Sequence, residues 1–583
     1  MKTDLVIRFG LAATVWFAGY TTLPAATNWV YNTNNFGPGS LHAAITNATA
    51  SAGMDYIYFN ITNSGPGPFT IRPTSQLPQL VGPAVIDGYT QSNSMPNTLT
   101  NGNNAVLMIE LDGSSAPGVN TDGLQYANDV TIRGLVINRF KRHGLHHVDV
   151  PSTAGKIQGC FIGADISGTV PAGNGGIGIF IEAFSSIIGG TNAGDRNVIS
   201  GNGGNGIETE DSGHVIQGNY IGTDKYGTNA MGNSGRGISI GSSTSVLGNT
   251  IGSTNNPAAG RNVISDNGGA GIEILGAIRT SIVGNYIGTD ANNNSYPAFA
   301  NNGPGVIISG GNSNLIGGTI VGNGNLIAGN GSNGVVVVGE VEVGFFTNGF
   351  ANAILGNSIY GNGSLGIDLQ LIATAGGVST NDACDADYEG GNRYQNFPAL
   401  SSATSTSSNI TIVGSLDSAP NTNYLLEFFA NSQCDPSGFG EGETFIGRTN
   451  HTAGANCTNN FLFTFPVAVA GGKFITATAS RILVTNAVYE TSEFSRCITN
   501  VGPATPSAVT IISTVVQGNN LCLTWTAPGG TTNFVQAAPT LTSAFTNISP
   551  PIVLAPSQTV TNYCDAGTLT NRSARLYRIL VQN

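Results

Sequence analysis

Charge is scarce in this 583-residue chain: only 9% of its residues are Asp, Glu, Lys or Arg, and lysine occurs five times. The straight-chain helix formers Lys, Glu, Gln and Met are all few, so few helices are expected. Clustered Lys and Arg are missing and the formal net charge is −12, which excludes nucleic acid as a partner because phosphate binding needs such clusters. The mild, dispersed acidity suits solubility and cation binding. The seven cysteines contain no CxxC pair, which argues against zinc ribbons and thioredoxin-type redox chemistry. Beyond the N-terminus no apolar run approaches the ~20 residues that span a bilayer.

What is abundant is glycine, 82 residues of it, together with Asn, Ser and Thr. Gly and Asn tolerate the positive φ that turns require, so the composition predicts an all-β chain with many turns. At the N-terminus Lys2 and Arg8 precede a short apolar stretch that ends at Ala25 and Ala26. This predicts a secretory signal peptide over 1–26 and an exported protein. Cysteine placement agrees: Cys160 is alone in the first 380 residues, and six cysteines follow. Disulfides are expected among those six, with Cys434–Cys497 and Cys522–Cys564 paired because each pair brackets one module.

A Gly followed by alternating apolar residues recurs as "GLHHV" (Gly144), "GIFIE" (Gly178), "GIETE" (Gly206), "GISIG" (Gly237) and "GIEIL" (Gly271). It continues as "GVIIS" (Gly305), "GVVVV" (Gly334) and "GIDLQ" (Gly366), with a weaker copy, "GLQYA", at Gly123. Between these strands "GNYIGTD" loops alternate with "RNVIS" loops. Short alternating strands in a fixed frame without helices between them predict a β-solenoid, whose coils bury their apolar faces by stacking. The Asn of "GNYIG", "GNTIG" and "GNSIY" (Asn219, Asn249, Asn285, Asn357) predicts a stacked amide ladder at a turn. Cys160, in the same column, is read as a buried structural thiol.

The frame resembles the right-handed parallel β-helix of the pectate-lyase-like superfamily and, more narrowly, a group of secreted bacterial β-helix repeat proteins. "GPGSLHAAI" (37–45), "FTIRPTSQLPQLVGPAVIDGYTQ" (69–91), "IELDGSSA" (109–116), the paired repeat loops and "LEFFANSQCDPSGFGEGETFIG" carry that resemblance. It covers roughly residues 30–500, and it implies the fold more than an activity. Ser40 then caps a helix, "LHAAITNATA", that closes the N-terminal end. The expected layout is a capping helix and entry strands over 27–120, β-helix repeats over 121–380 and an acidic junction over 381–399. A β-sandwich over 400–500 and an immunoglobulin- or fibronectin-like β-sandwich over 506–583 follow, the latter with Trp525 in its core.

Counting from each glycine, positions +1 and +3 are apolar and point inward, so +2 and +4 point outward. Column +2 reads His146, Phe180, Glu208, Ser239, Glu273, Ile307, Val336 and Asp368; column +4 includes Glu182 and Glu210. Glu182 should therefore stack on Glu210, with Glu208 about 7 Å along the same strand and His146 two coils away. Neighbouring carboxylates raise one another's pKa, and such pairs serve glycoside hydrolysis. Glu182, Glu208, Glu210 and His146 are thus the candidate catalytic group, and Phe180 and Glu273 the candidate carbohydrate contacts. Against an enzyme stand two absences: no Asp-Asp or Gly-His-Gly pattern of the polygalacturonase kind, and no Arg or Lys in the outward columns to act as a lyase base. His146 and His147 alternate across the strand and cannot readily share a metal. Asp382, Asp385, Asp387 and Glu389, in "NDACDADYEGG", form a candidate calcium loop, although EF-hand spacing is absent. Two functions stay open: an exported, monomeric surface protein that binds or adheres, with polysaccharide as partner, or a polysaccharide hydrolase or lyase.

Overall fold

A computed structural model of the chain describes residues 25–582 except 52, 63–64, 149–154, 242–245, 257, 296, 340–348, 373–375, 485–487, 503–508, 529–530, 541, 556–557 and 567–574. The segment read as a signal peptide lies outside the described residues up to position 24. Three parallel sheets of 11, 10 and 10 strands make a β-helix. Each coil contributes one short strand to each sheet in turn. The first sheet runs from Ala26–Val30 to Ala353–Leu355, the second from Phe69–Ile71 to Ser358–Tyr360, and the third from Leu80–Val81 to Ile367–Gln370. The Gly-led repeats are the strands of the third sheet.

The repeat glycines owe their place to close stacking. A Cβ built on Gly206 would lie 2.7 Å from the carbonyl oxygen of Gly237 and 2.9 Å from the Asn233 amide nitrogen. Any side chain there would force neighbouring coils apart. Just before each of these strands, in the turn from the second sheet, Asn174, Asn202, Asn233, Asn267, Asn301, Asn330 and Asn362 form one continuous ladder, each amide donating at 2.9 Å to the next coil's amide oxygen. At the turn entering the second sheet a further ladder runs through Asn197, Asn219, Asn262, Asn285, Asn325 and Asn357, with steps of 2.9–3.0 Å. Cys160 stands at the start of this ladder, its backbone N–H donating to Asn197 Oδ1 at 2.9 Å. Its thiol is free and buried, and burial pushes its pKa up to about 12.

Asn249 departs from the expected column. Its strand, Thr250–Gly252, belongs to the first sheet, whereas the "GNYIG" strands belong to the second. At the corner that "GNTIG" occupies, the column passes through Ser186, His214, Asn249, Thr280, Asn314 and Asn352, so an amide is one of several polar groups used there. At this third corner Asn249 Oδ1 accepts from the backbone N–H of His214 at 2.8 Å, and Asn314 donates to Asn352 at 3.0 Å.

Both ends of the solenoid are covered. Ser40 Oγ accepts from the N–H of Ala43 and caps the helix Leu41–Ala50, which buries Leu41, Ala44, Ile45 and Ala48 against the first strands. At the other end, residues 387–395 and 480–493 group with the β-helix. Asn352 donates its backbone N–H to Asn392, Ile354 donates to Thr491 and Leu369 donates to Glu493. These contacts occupy backbone donors that an open last coil would leave unpaired. The acidic junction over 381–399 is consequently divided between two compact units, the second comprising 381–386, 396–479 and 494–583.

In the second unit, mostly antiparallel strands, with Ala399–Ser405 and Ile498–Val501 paired in parallel, enclose a core built on Ile410, Tyr424, Phe428, Phe461 and Ile475. A last module packs Leu523, Trp525, Val535 and Leu554, with the Trp525 indole donating to Asn533. Disulfides join Cys384–Cys457, Cys434–Cys497 and Cys522–Cys564. The last two are the pairings drawn from the sequence; the first was left unassigned there. Such bonds persist in oxidising compartments. Among the described residues no helix is long and apolar enough to cross a membrane.

The ladders make a testable demand. Asn267→Leu removes one bond from each of two neighbouring amides, leaving one Asn233 N–H and one Asn301 acceptor site unsatisfied, at ~1–3 kcal/mol for each. Equilibrium urea unfolding should show the β-helix transition destabilised by about 2–4 kcal/mol, with the melting of the Trp525 module unchanged.

Candidate functional site

The third sheet carries the predicted columns in the register read from the sequence. His146 pairs with Phe180, Phe180 with Glu208, Glu208 with Ser239 and Ser239 with Glu273. Farther along the sheet, Glu273 pairs with Ile307, Ile307 with Val336 and Val336 with Asp368. The N–H of Glu210 donates to the carbonyl of Ile181, and the N–H of Glu182 to that of His147, so both glutamates leave the sheet on the same side.

The closest-knit part of the face centres on His146. Its Nδ1 lies 3.2 Å from Asp122 Oδ2 and its Nε2 lies 2.7 Å from Glu182 Oε2. Asp122 is fully buried in its side chain and also accepts from the Gln125 amide and the His143 backbone N–H, with Arg142 at 3.5 Å. Burial alone would raise the Asp122 pKa, but the hydrogen bonds from His146, Gln125 and the His143 backbone hold it below the ordinary value. Burial likewise pulls His146 down, and its bonds to Asp122 and Glu182 overcome this and carry it above the ordinary value. Both bonds favour the charged form of the ring, which the two carboxylates hold in place.

Glu210 is exposed, and its pKa is raised by burial of its carboxyl first, then by the charges of Glu182, Glu208 and Asp211. Glu208 accepts from the Asn205 amide at 2.6 Å. Glu273 is paired with Arg236 at 2.7 Å and accepts from Ser239 at 3.3 Å. Phe180 is only 8% exposed and packs its ring 5.1 Å from both His143 and His146, so little of it is left for a sugar to stack on. His147 points inward, its Nδ1 3.1 Å from Ser186 Oγ and its ring stacked on Tyr126. It is separated from His146 by the sheet itself.

Two adjoining hollows continue the face. One of about 260 Å³ is bordered by Arg236, Glu273 and Ile307; the next, about 480 Å³, runs from Ile307 past Asn333 and Val336 to Asp368 and Gln370. Asp368 accepts from the Asn333 and Gln370 amides, and burial raises its pKa.

The residues that sequence reasoning missed are Asp122, Asn205, Arg236 and Asn333. Each immediately precedes a repeat glycine, and each reaches a +2 side chain: Gln125 and Glu208 on its own strand, Glu273 and Asp368 on the next. The signal in the sequence is a polar residue at position −1, one place before each of these four glycines.

The four acidic residues of 381–391 do not form a cluster. Asp382 accepts from the Ala386 N–H with both oxygens, and Asp385 accepts from the Asn396 N–H and the Ser418 hydroxyl. Asp387 and Glu389 belong to the other compact unit. Among the described residues no three of these carboxylates converge; the group that does is Cys384, Asp417 and Cys457, whose sulfurs are consumed in a disulfide.

Buried histidines give this region its pH response. His147 and His214 are pushed down to about 4 by burial, and each has a buried Nε2 without a partner. A histidine that titrates near ~6.5 when unfolded and near 4 when folded contributes fully above pH ~6.5 and loses that contribution as pH falls. His214→Asn keeps an acceptor for the Ser186 N–H and removes the titration. It should flatten the acid-side fall in Tm between pH 6.5 and 4.5, a difference on the order of 2–3 kcal/mol by pH 4. His146 has the opposite sign: its raised value stabilises below pH ~6.5 and is lost as pH rises through the folded value. The Tm penalty of His146→Gln should therefore shrink on going from pH 6 to pH 9.

No protein-family model matches the chain, and no curated protein matches it. Among solved structures, the FN1–FN3 domains of chicken CNTN1 match at 11% identity with a TM-score of 0.12, over 32% of this chain. The chain spans 62% of the length of that structure, and likeness at this level carries no inference.

Proposed function

We propose that the protein is exported and binds polysaccharide along the outward face of its third sheet. The observation that carries this reading is the row of side chains from Asp122 to Asp368, in which the polar groups are held in place by fixed partners. Preorganised carboxylates and amides can accept from ligand hydroxyls without reorganising. The row extends over about 35–40 Å at the ~4.8 Å spacing of neighbouring strands, a length that suits a polymer better than a small molecule. Its acids, with the net charge of −12, disfavour polyuronates and favour neutral chains. The three disulfides and the resemblance to secreted pectate-lyase-like β-helix proteins support export.

A second reading, a glycoside hydrolase, is favoured by one observation: Glu210, raised in pKa beside Glu182 and Glu208, has the properties of a proton donor next to a carboxylate. The two readings separate in a single experiment. Purified protein is incubated with neutral and acidic polysaccharides, with and without Ca²⁺, and both retention and released sugars are measured. Binding without product, weakened about tenfold by Glu208→Gln or Glu210→Gln, a change of ~1.4 kcal/mol, is the expected result. Product release abolished by Glu210→Gln would replace it with the hydrolase, and neither retention nor product would remove both.

A further inference from the structure

The outward face of the first sheet carries a feature absent from the third. On its first strand Trp29 is 39% exposed, and Tyr31, just beyond the strand, is 50% exposed. On the next strand, Asp55–Phe59, Tyr56 and Tyr58 alternate with buried Ile57 and Phe59, which puts both tyrosines on the outer side. Register ties the rings together: Trp29 pairs with Tyr58, and Thr27 with Tyr56. The Trp29 and Tyr31 rings are 6.2 Å apart and nearly parallel at 21°, Trp29 and Tyr58 are 5.5 Å apart, and Tyr56 and Tyr58 are 5.5 Å apart.

The same column then turns polar. Tyr58 pairs with Asp87, Asp87 with Arg133 and Arg133 with Gln158, while the parallel column runs Tyr56, Val85, Thr131 and Lys156. Arg133 Nε lies 3.5 Å from Asp87 Oδ1, and its half-exposed side chain leaves guanidinium donors at the surface.

We propose that this aromatic strip with its Asp87–Arg133 edge is a second glycan-binding surface, taking a neutral polysaccharide laid across the first coils. Exposing Trp29 and Tyr31 beside the half-buried Tyr56 and Tyr58 on a sheet face forgoes burial energy, and such patches mark contact sites. The C–H-bearing face of a pyranose meets the electron-rich face of an aromatic ring favourably, and its rim hydroxyls need the donors and acceptors that Asp87, Arg133 and Gln158 supply. A protein partner would call for an anchor pocket with a close-packed apolar surround. Here the rings are bordered instead by Thr27, Val85, Thr131 and charged groups. The strip lies on a different sheet from the third-sheet row, so either surface can fail without the other.

Trp29 makes the test direct. The chain has three tryptophans, Trp16 in the segment read as a signal peptide, Trp29, and Trp525 in the core of the last module. The full chain is run in native gels containing mixed-linkage β-glucan, galactomannan or polygalacturonate, and its tryptophan emission is titrated with the same polymers. Retardation by a neutral polymer is expected, together with an emission change that is absent in Trp29→Phe. In a Glu208→Gln/Glu210→Gln background Trp29→Ala or Tyr58→Ala should weaken retardation tenfold or more, and the two glutamate changes alone should leave the emission change intact. Circular dichroism melting confirms that the variants are folded. Retardation that survives Trp29→Ala and Tyr58→Ala but is lost with the glutamate variants would overturn this inference and leave the third-sheet reading standing. Retardation by polygalacturonate alone, no retardation in any gel, or a dimer in sedimentation that Trp29→Ala dissolves would also overturn it.

Discussion

Every coil of this protein is positioned by hydrogen bonds to the coil before and after it. Backbone pairing in the three sheets supplies most of them, but the asparagine ladders decide the corners. An amide inside a turn can donate to the next coil and accept from the previous one, which holds neighbouring turns at one spacing. That spacing brings the carbonyl of Gly237 to where a side chain of Gly206 would be, so the ladder and the repeat glycine are two expressions of one constraint. Cys160 is tolerated at the ladder's start because only its backbone N–H is needed there. The same requirement explains the ends, where a capped helix and the side chains of Asn392, Thr491 and Glu493 take over partners that a next coil would otherwise provide.

Stacking in register also creates the chemistry of the outer face. Residues at the same repeat position become neighbours whatever their identity, so two glutamates one coil apart repel unless other groups intervene. The protein answers with partners from position −1, Asp122 on His146, Arg236 on Glu273 and Asn333 on Asp368, and Glu182 at position +4 holds the other side of His146. Glu210 rises in pKa through partial burial of its carboxyl first and the charges of Glu182, Glu208 and Asp211 second. A face built in this way has most of its polar groups fixed by partners on the same or the neighbouring coil.

The first sheet solves a different problem with the same geometry. Its column passes from Trp29 and Tyr58 to Asp87, Arg133 and Gln158, so apolar ring surface and hydrogen-bonding groups follow one another along a single line. Two faces of one solenoid can thus offer a polymer different chemistry while sharing one core of isoleucine, valine and leucine.

Much of the architecture was legible in the sequence because the repeat imposes a local rule at each coil. The Gly-led strands, the inward +1 and +3 positions, the outward +2 register, the Ser40 cap and core Trp525 follow from residues close in sequence or from a fixed period, while two disulfides were drawn from cysteines that bracket a module. What lay beyond that reading depended on which corner or sheet a similar-looking segment occupies. Asn249 sits in a motif like its counterparts yet serves the first sheet, since loop lengths between corners vary. Phe180 reads as an exposed ring, but His143 and His146 close over it. In the acidic stretch 381–391, Asp382 and Asp385 turn their oxygens to backbone N–H groups and a serine. Asp122 reaches His146 from the preceding coil, and Trp29 meets Tyr58 across one. Local pattern determined the coil; the tertiary structure alone decided which side chains became neighbours, because contact between coils depends on the summed length of every loop between them.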